Sequence, residues 1–338
     1  MEAISKRREE NHRIQKRAAT ISVVVGVLLL LTKTLAWTIT GSSAVLSDAA
    51  ESIINVAASI FAFASIRLAA EPPDENHPYG HGKIEYFSAG FEGGLIVLAA
   101  VAILVVGIKG LLHPPDLRSL GLGTMLVALA GAANGLLGFW LIAVGRRSGS
   151  SAIEADGKHL VTDLVTSAGV VVGLLLVKMT GWPILDPVLA ILLGVNILFA
   201  GWRIVRTSAG RLMDEADEGL LQRIVDSLNR IRQPGDLRPH HLRARWQGQK
   251  LYIDLHIFLP RWWTLTRVHD RVDELEAGLA RELDMDLEAI IHADPCRKQH
   301  CRFCALENCP VRGAPQSSDE PWSLTDIAST GIHPDFGD

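Results

Sequence analysis

The sequence predicts a membrane α-helical protein, in which a six-transmembrane-helix bundle precedes a C-terminal cytoplasmic α+β domain. Hydrophobic residues make up 48% of the 338-residue chain and mean hydropathy is +0.22. The apolar residues concentrate between Ala18 and Trp202, in blocks long enough to cross a bilayer, whereas the chain from Arg203 onward has the mixed composition of a soluble domain. The net charge of -4 is too small to indicate a class of partner. We expect no nucleic-acid partner.

A helix needs about 20 apolar residues to cross the hydrocarbon core. The segments that meet this length are Ala18–Thr38, Ser43–Ile66, Tyr86–Leu112, Leu120–Val144, His159–Met179 and Ile184–Trp202. Loops rich in Lys and Arg favour the cytoplasmic side of the membrane. These residues cluster in the N-terminal tail, in the loops after the second and fourth spans, and in the segment after the sixth span. The loops on the opposite side carry only Arg118. We therefore predict a multi-pass protein of the cell (inner) membrane with both termini cytoplasmic. Residues 1–17 form the cytoplasmic N-terminal tail in this interpretation, and 18–210 the transmembrane domain.

The segment after the sixth span has the pattern of a small soluble domain, residues 211–295. Helical spacing covers Asp217–Ile231 and Leu265–Leu283, and strand-like runs cover Leu242–Trp246, Leu251–Phe258 and Ala289–His292. The order helix, strand, strand, helix, strand predicts an α+β layer. Residues 296–338 contain all four cysteines and are otherwise polar with Pro and Gly, so we expect this tail to be largely disordered.

Two pairs of polar residues lie inside predicted spans. Glu51 and Asn55 are four residues apart in the second span, and His159 and Asp163 are four apart in the fifth. Residues at i and i+4 share one helix face, so two such faces that meet can form a four-ligand site for zinc, iron(II), manganese or cobalt. The alternative is that the carboxylates pair with lysines or cap other helices.

The cytoplasmic loop after the second span contains Asp74, His77 and His81 among Gly and Pro residues. Two histidines and a carboxylate in a tight loop can converge on one ion. An ordinary polar turn is the alternative.

The soluble domain is rich in histidine. Its histidines and the nearby carboxylate are His240, His241, His256, His269, His292 and Asp294. A single histidine is usually a surface or core group, but five histidines in a short stretch, some of them in predicted strands, indicate a candidate metal site.

The four cysteines Cys296, Cys301, Cys304 and Cys309 lie close together in the tail. In a reducing compartment, closely spaced thiols favour metal binding over disulfides. The central Cys-x2-Cys suits zinc, an iron–sulfur cluster is a further hypothesis, and unliganded thiols are the alternative.

Several segments together resemble the cation diffusion facilitators, over about residues 15–296. The segments that carry the resemblance are Ser43–Ser59, Asn76–Glu85, Ala155–Asp163, Leu212–Asp214 and His241–Cys296. The resemblance implies a homodimer in the lipid bilayer, with six spans per protomer and a metallochaperone-like cytoplasmic domain. It implies a secondary transporter, not an enzyme, that exports a divalent cation from the cytoplasm in exchange for protons.

The resemblance also implies roles for particular residues. The transport site would comprise Glu51, Asn55, His159 and Asp163, and the loop site Asp74, His77 and His81. The cytoplasmic sites would draw on His241, His256, His269, His292 and Asp294. Lys83 and Asp214 occupy the positions of a charge lock at the dimer.

The second-span pair departs from the family, in which His or Asp is followed by Asp. The amide of Asn55 is a neutral, weaker ligand, and the oxygen-rich set favours iron(II) or manganese slightly. His159 argues against a purely manganese site, so we expect zinc first and iron(II) next, with manganese, cobalt and cadmium as further ions. The alternative function is a membrane-anchored metal sensor without transport. The sequence contains no His-Glu-x-x-His, Gly-x-Ser-x-Gly or Walker segment that would indicate an enzyme or an ATP-driven pump.

Overall fold

The computed structural model describes residues 2–40, 43–112, 122–182, 184–317 and 320–327. Within these ranges, a number of helical side chains lie outside the description, and that of Glu51 is one of them. The chain divides into two compact units, one from Arg7 to Met213 and the other from Asp214 to the C-terminus together with Met1–Lys6.

The first unit is helical throughout its described length. Its helices are α1 (Glu2–Thr40, whose first residues belong to the other unit), α2 (Ser43–Ala69), α3 (Ile84–Leu112), α4 (Leu122–Ser148), α5 (Ser151–Thr180) and α6 (Leu185–Leu212). Among the residues that the structure describes, five segments are long and apolar enough to span a membrane, and they lie in α1, α2, α3, α4 and α6. Many side chains of α5 lie outside the description. The predicted membrane-helical architecture is confirmed.

The predicted N-terminal tail is helical in the structure. From Glu2 onward, the residues that we assigned to a cytoplasmic tail belong to α1, and their cytoplasmic location stays a prediction. This stretch contains no Gly or Pro and is rich in Glu, Lys, Arg and Gln, which are good helix formers. The charged residues therefore extend the first span as a helix.

Close helix packing fixes the position of α5. It lies along α4, while α3 lies along α6. A Cβ added at Gly138 would stand 2.8 Å from the carbonyl oxygen of Gly157, and one added at Gly157 would stand 2.7 Å from that of Gly138. Only glycine permits this backbone approach. Because Gly157 lies two residues before His159, the contact holds the polar part of α5 in place.

The second unit contains the predicted α+β domain. Its elements are α7 (Glu218–Ile231), β1 (Pro239–Gln247), β2 (Lys250–Leu259), α8 (Leu265–Leu283) and β3 (Leu287–Pro295). The strand order is β1-β2-β3, with β1 antiparallel and β3 parallel to β2. The side chains of Asp217 and Thr264 accept backbone N–H bonds at the starts of α7 and α8, as N-cap residues do. The predicted order of helices and strands is confirmed.

The C-terminal tail differs from the prediction of disorder in its described residues. A 3-10 helix covers Lys298–Phe303, and a short helix α9 covers Leu324–Ile327. Trp322 and Ile327 are buried in the core that α7, α8 and the sheet share. The Asn229 side chain exchanges hydrogen bonds with the backbone N–H and carbonyl of Trp322, at 2.9 Å each. A few apolar side chains thus anchor a segment whose average composition is polar.

Candidate metal sites

Three of the four polar residues predicted in the spans come together between α2 and α5. The Asn55 Nδ2 group donates to Asp163 Oδ2 at 2.6 Å, and His159 Nε2 lies 2.9 Å from Asn55 Oδ1. All three side chains are buried, with exposures of 8% or less. The arrangement brings an imidazole, an amide and a carboxylate to one point inside the helical unit.

The hydrogen bonds fix which atoms carry protons. A carboxylate oxygen accepts, so the amide must present its NH2 group to Asp163 and its oxygen to His159. Because that oxygen can only accept, His159 Nε2 carries the proton of this bond. An ion that binds at Nε2 must therefore displace this proton.

Glu51 lies on the same helix as Asn55, one turn earlier in α2. Its side chain lies outside the described residues, so its participation stays a prediction. Nearby, Lys33 Nζ of α1 donates to Ser52 Oγ at 2.8 Å, and both residues are buried.

A second buried network lies one turn from the site and joins α1 to the same two helices. Ser22 and Ser59 donate to the two carboxylate oxygens of Asp156, at 2.6 and 2.9 Å. A small cavity on this side is lined by Ser22, Ser52, Asn55, Ser59 and Asn134, with apolar residues between them. A polar lining within membrane helices marks a candidate water or ion path.

Glu92 of α3 is a buried residue that our sequence analysis missed. Its exposure is 0%, and neither carboxylate oxygen has a hydrogen-bond partner among the described residues. Asp156 and Asp163 lie within electrostatic range of it. A carboxyl group within a span was the signal that could have found it, because such groups are functional candidates by default.

The predicted loop site is assembled as a compact cluster. His77 Nδ1 lies 3.1 Å from Asp74 Oδ1, His81 Nε2 lies 3.3 Å from Asp74 Oδ2, and the two ring nitrogens are 3.1 Å apart. Gly80, with φ of +83°, allows the tight turn between the histidines. The backbone N–H of His77 is the main cause that lowers the pKa of Asp74. The carboxylate is therefore ionised and available to a cation.

Three histidines form a row across the sheet of the second unit. His240 on β1 pairs in register with His256 on β2, and His256 pairs with His292 on β3. Adjacent strands are about 4.8 Å apart, and the ring centroids of these pairs are 5.2 and 4.6 Å apart. Strand register therefore creates the histidine row.

Asp294 completes this cluster from β3. Its oxygens lie 3.4 Å from His240 Nε2, 3.2 Å from His256 Nδ1 and 3.4 Å from His292 Nε2. Burial lowers the pKa of His240 to about 4. The imidazole of His240 is therefore neutral at neutral pH, as a metal ligand must be.

The two remaining predicted histidines, His241 and His269, lie at different distances from this cluster. His241 adopts φ of +53° next to the bulge in β1, and its ring lies 5.2 Å from that of His256. His269 is exposed on α8 and lies 3.8 Å from Asp273, so within the described chain it does not join the cluster. His240, which the family resemblance did not assign to a site, takes the β1 position of the histidine row.

Lys83 and Asp214 are the two residues that the family resemblance assigns to a charge lock at the dimer. Lys83 Nζ donates to the Leu212 carbonyl at 3.3 Å, and Asp214 lies 3.8 Å from Arg245 Nη1. The role of Lys83 and Asp214 at a dimer stays a prediction.

The four tail cysteines line one pocket. Cys301 and Cys304 are buried, while Cys296 and Cys309 are half-buried. Burial raises the pKa of the Cys296 thiol, and the other three thiols act in the same direction. The structure therefore brings together side chains that the sequence spread over 14 residues.

Comparison with known proteins agrees with this layout. The family model described as the cation efflux transmembrane domain matches residues 19–213, and that described as the cation efflux protein cytoplasmic domain matches residues 216–296. The chain belongs to the cation diffusion facilitator family. It is accordingly a membrane protein of a cation efflux transporter family, and not an enzyme.

Individual relatives cover most of the chain. An uncharacterized transporter of Synechocystis sp. is 38% identical over 272 residues, which is 80% of this chain and 87% of the relative. The cation-efflux pump FieF of Escherichia fergusonii is 30% identical over 285 residues, or 84% of this chain and 94% of the pump. FieF of Escherichia coli is also 30% identical, over 286 residues, with the same two shares of 84% and 94%. The family models and these alignments support the resemblance found in the sequence.

Proposed function

We propose that this chain is a homodimeric metal/proton antiporter that exports a divalent transition-metal cation from the cytoplasm. Zinc is the first candidate ion and iron(II) the second. The observation that carries the proposal is the buried group of Asn55, His159 and Asp163 between two helices of the cation efflux domain.

The donor atoms explain the choice of ion. One imidazole nitrogen and one carboxylate suit zinc, iron(II), manganese and cobalt, and the amide oxygen of Asn55 adds a neutral donor. Glu51, one turn before Asn55, is the proposed fourth ligand. An incoming ion replaces the hydrogen bonds that now join the three described side chains, so binding must open this chain of bonds.

Proton coupling follows from competition for the same lone pairs. Metal binding requires an unprotonated His159 nitrogen and an ionised Asp163, and protonation of either group weakens binding. An inward proton gradient would therefore release the ion on the outer side as the helices rock between two states. Asp156 and Glu92, which are buried carboxyl groups close to the site, are candidates to bind and release the exchanged protons.

The loop cluster has the geometry to attract the ion on the cytoplasmic side. Asp74 is ionised and exposed, and the rings of His77 and His81 converge on it. A surface site with one carboxylate and two imidazoles binds an ion without burying its charge. We propose that it concentrates the cation before entry.

The histidine row supports regulation by cytoplasmic metal. His240, His256 and Asp294 offer ligand atoms that all lie within 4.8 Å of one another on the sheet, and His292 lies 3.4 Å from Asp294. Occupancy at high cytoplasmic metal would stabilise one state of the dimer.

The test is flux into proteoliposomes for zinc, iron(II), manganese, cobalt and cadmium, with and without a pH gradient. We expect selective, gradient-dependent flux that Asp163→Ala abolishes. Asp226→Ala removes an exposed carboxylate from α7 and serves as the matched control, which should retain wild-type flux.

Each outcome separates the candidate functions. Flux that does not respond to the pH gradient would exclude the antiporter. An absence of flux for every metal, with tight binding by the second unit, would favour the membrane-anchored sensor. The amide of Asn55 at a position where the family has a carboxylate is the feature that favours this second function.

A further inference from the structure

The four tail cysteines form a second kind of candidate site. Three of them, Cys301, Cys304 and Cys309, lie beyond residues 216–296, where the cytoplasmic-domain family model matches. Cys296 extends β3, and its backbone N–H bonds to the Leu259 carbonyl at 2.9 Å. The 3-10 helix Lys298–Phe303 then presents Cys301, and Cys304 follows directly at its end. The chain turns back through Cys309, so that all four thiols line one pocket.

Backbone donors point at the sulfur atoms. The N–H of Arg261 donates to Cys296 Sγ at 3.4 Å, and the N–H of Gly313 donates to Cys301 Sγ at 3.3 Å. Such bonds stabilise sulfur when it carries negative charge. Arg312 bonds to the carbonyls of Cys304 and Leu306 and thereby holds the turn that carries Cys309.

Positive charge surrounds the pocket. Its lining includes Arg261, Arg297, Lys298 and Arg312, and it contains no acidic side chain among the described residues. Four thiols that bind one divalent ion release four protons and form a centre of charge -2. The basic lining offsets this charge, whereas four neutral thiols would need no such surroundings.

We propose that Cys296, Cys301, Cys304 and Cys309 hold one thiolate-ligated metal centre that fastens the tail to the edge of the cytoplasmic sheet. This centre is separate from the transported ion and does not depend on the proposed transport function. A single zinc ion and an iron–sulfur cluster share the same four-thiolate chemistry.

Two observations favour the cluster over a single ion. The spacing Cys-x4-Cys-x2-Cys is that of plant-type [2Fe–2S] ferredoxins, and Cys309 is followed by Pro310 as in the bacterial ferredoxin run. No three of the four sulfur atoms, all of which are described, lie within 4.8 Å of one another. The ligands of one tetrahedral zinc are about 3.8 Å apart, given zinc–sulfur bonds of about 2.3 Å.

The experiment is metal analysis of the full-length protein, purified anaerobically in detergent without added metal. Iron, zinc and acid-labile sulfide are quantified per chain, and X-ray absorption at the metal edge measures the ligand shell. We expect a metal bound by sulfur at about 2.3 Å. Iron with equal sulfide identifies the cluster, and one zinc with a four-sulfur shell identifies the mononuclear centre.

Variants separate this centre from the nitrogen and oxygen sites. Cys304→Ser should remove the sulfur-bound metal, while Asn308→Ser, an exposed position in the same turn, should retain it. Wild-type protein whose metal has only nitrogen and oxygen ligands, or whose four thiols all react with iodoacetamide without prior chelation, would overturn the proposal. Neither result depends on flux, so failure of the transport proposal would be seen separately.

Discussion

The membrane unit and the cytoplasmic domain each gather histidine and carboxylate ligands, but they do so by different means. In the membrane unit, Asn55 stands between His159 and Asp163 and bonds to both. In the cytoplasmic domain, Asp294 faces His240, His256 and His292 directly, with no amide between them. The first group is joined through the amide, whereas in the second the ring of His256 donates directly to the Asp294 carboxylate.

This difference matches the tasks that we propose for the two sites. A transport site must release its ion, and the competing hydrogen bonds of Asn55 provide a stable metal-free state. A regulatory site needs only to report the metal level, and a sheet that fixes its ligands binds an ion with little rearrangement. The two sites should therefore respond independently to substitution.

The largest expected effect is that of Asp163→Asn on transport. The substitution keeps the shape of the side chain but removes the charge that binds the ion, so we expect flux to fall by about 100-fold, the upper range for a lost metal-site group. Proteoliposome flux measures this change, and metal binding by the cytoplasmic domain should be unaltered. A parallel loss of cytoplasmic binding would show that the two sites are not independent.

The reciprocal variant is Asp294→Asn in the Asp163→Asn background. Because Asp294 contacts three histidines, its loss should weaken cytoplasmic metal binding by about 10-fold or more. Isothermal titration calorimetry of the full-length protein checks this affinity. With Asp163 intact, Asp294→Asn should leave flux at saturating metal within about twofold of wild type, since a regulatory site is not on the ion path. Abolished flux would place Asp294 in the transport path.

Acid should destabilise the cytoplasmic domain of the metal-free protein. Burial lowers the pKa of His240 to about 4 in the folded state, against about 6.5 in an unfolded chain. Between pH 4 and pH 6.5 the unfolded state therefore binds more protons than the folded state. The contribution of neutral His240 to the free energy of unfolding is complete above about pH 6.5 and is lost as the pH falls toward 4. Thermal unfolding with a chelator should show a Tm lower by roughly 10 °C or more near pH 4 from this group alone.

Two variants test the origin of this pH dependence. His240→Gln should reduce the slope of Tm against pH between about 6.5 and 4.5, because it removes the titrating group. His269→Gln, at an exposed position on α8, should leave the slope unchanged. Equal slopes for both variants and wild type would assign the acid sensitivity to other groups, with buried His300 the next candidate because its pKa is also lowered to about 4.

The smallest expected effect is that of Asn55→Asp. A carboxylate at position 55 cannot donate the hydrogen bond to Asp163, and it places a second negative charge beside that residue. The metal-free site is therefore less stable, and it binds cations and protons more tightly. We expect the apparent affinity for the transported ion to rise by about threefold and to depend more steeply on pH. Flux measured at several external pH values checks this. An unchanged pH profile would show that residue 55 takes no part in proton exchange.

Much of the fold followed from local patterns. Apolar runs predicted the helices of the first unit, and alternation predicted β2 at Leu251–Phe258, against Lys250–Leu259 in the structure. The start of helix α1 at Glu2 did not follow from the apolar pattern, because charged residues end an apolar span but do not end a helix. The tail was misjudged because average polarity hides the two buried residues Trp322 and Ile327.

The sequence by itself determined which residues share a helix face, because i and i+4 spacing is a property of one helix: Asn55 with Glu51, and Asp163 with His159. It also determined the tight loop around Asp74, His77 and His81. Only the tertiary structure decided the partners across elements. Strand register aligned His240, His256 and His292, helix packing placed Glu92 of α3 close to Asp163, and the returning tail gathered the cysteines. Such contacts join residues far apart in the chain, and their geometry depends on how whole helices and strands pack, which no local pattern specifies.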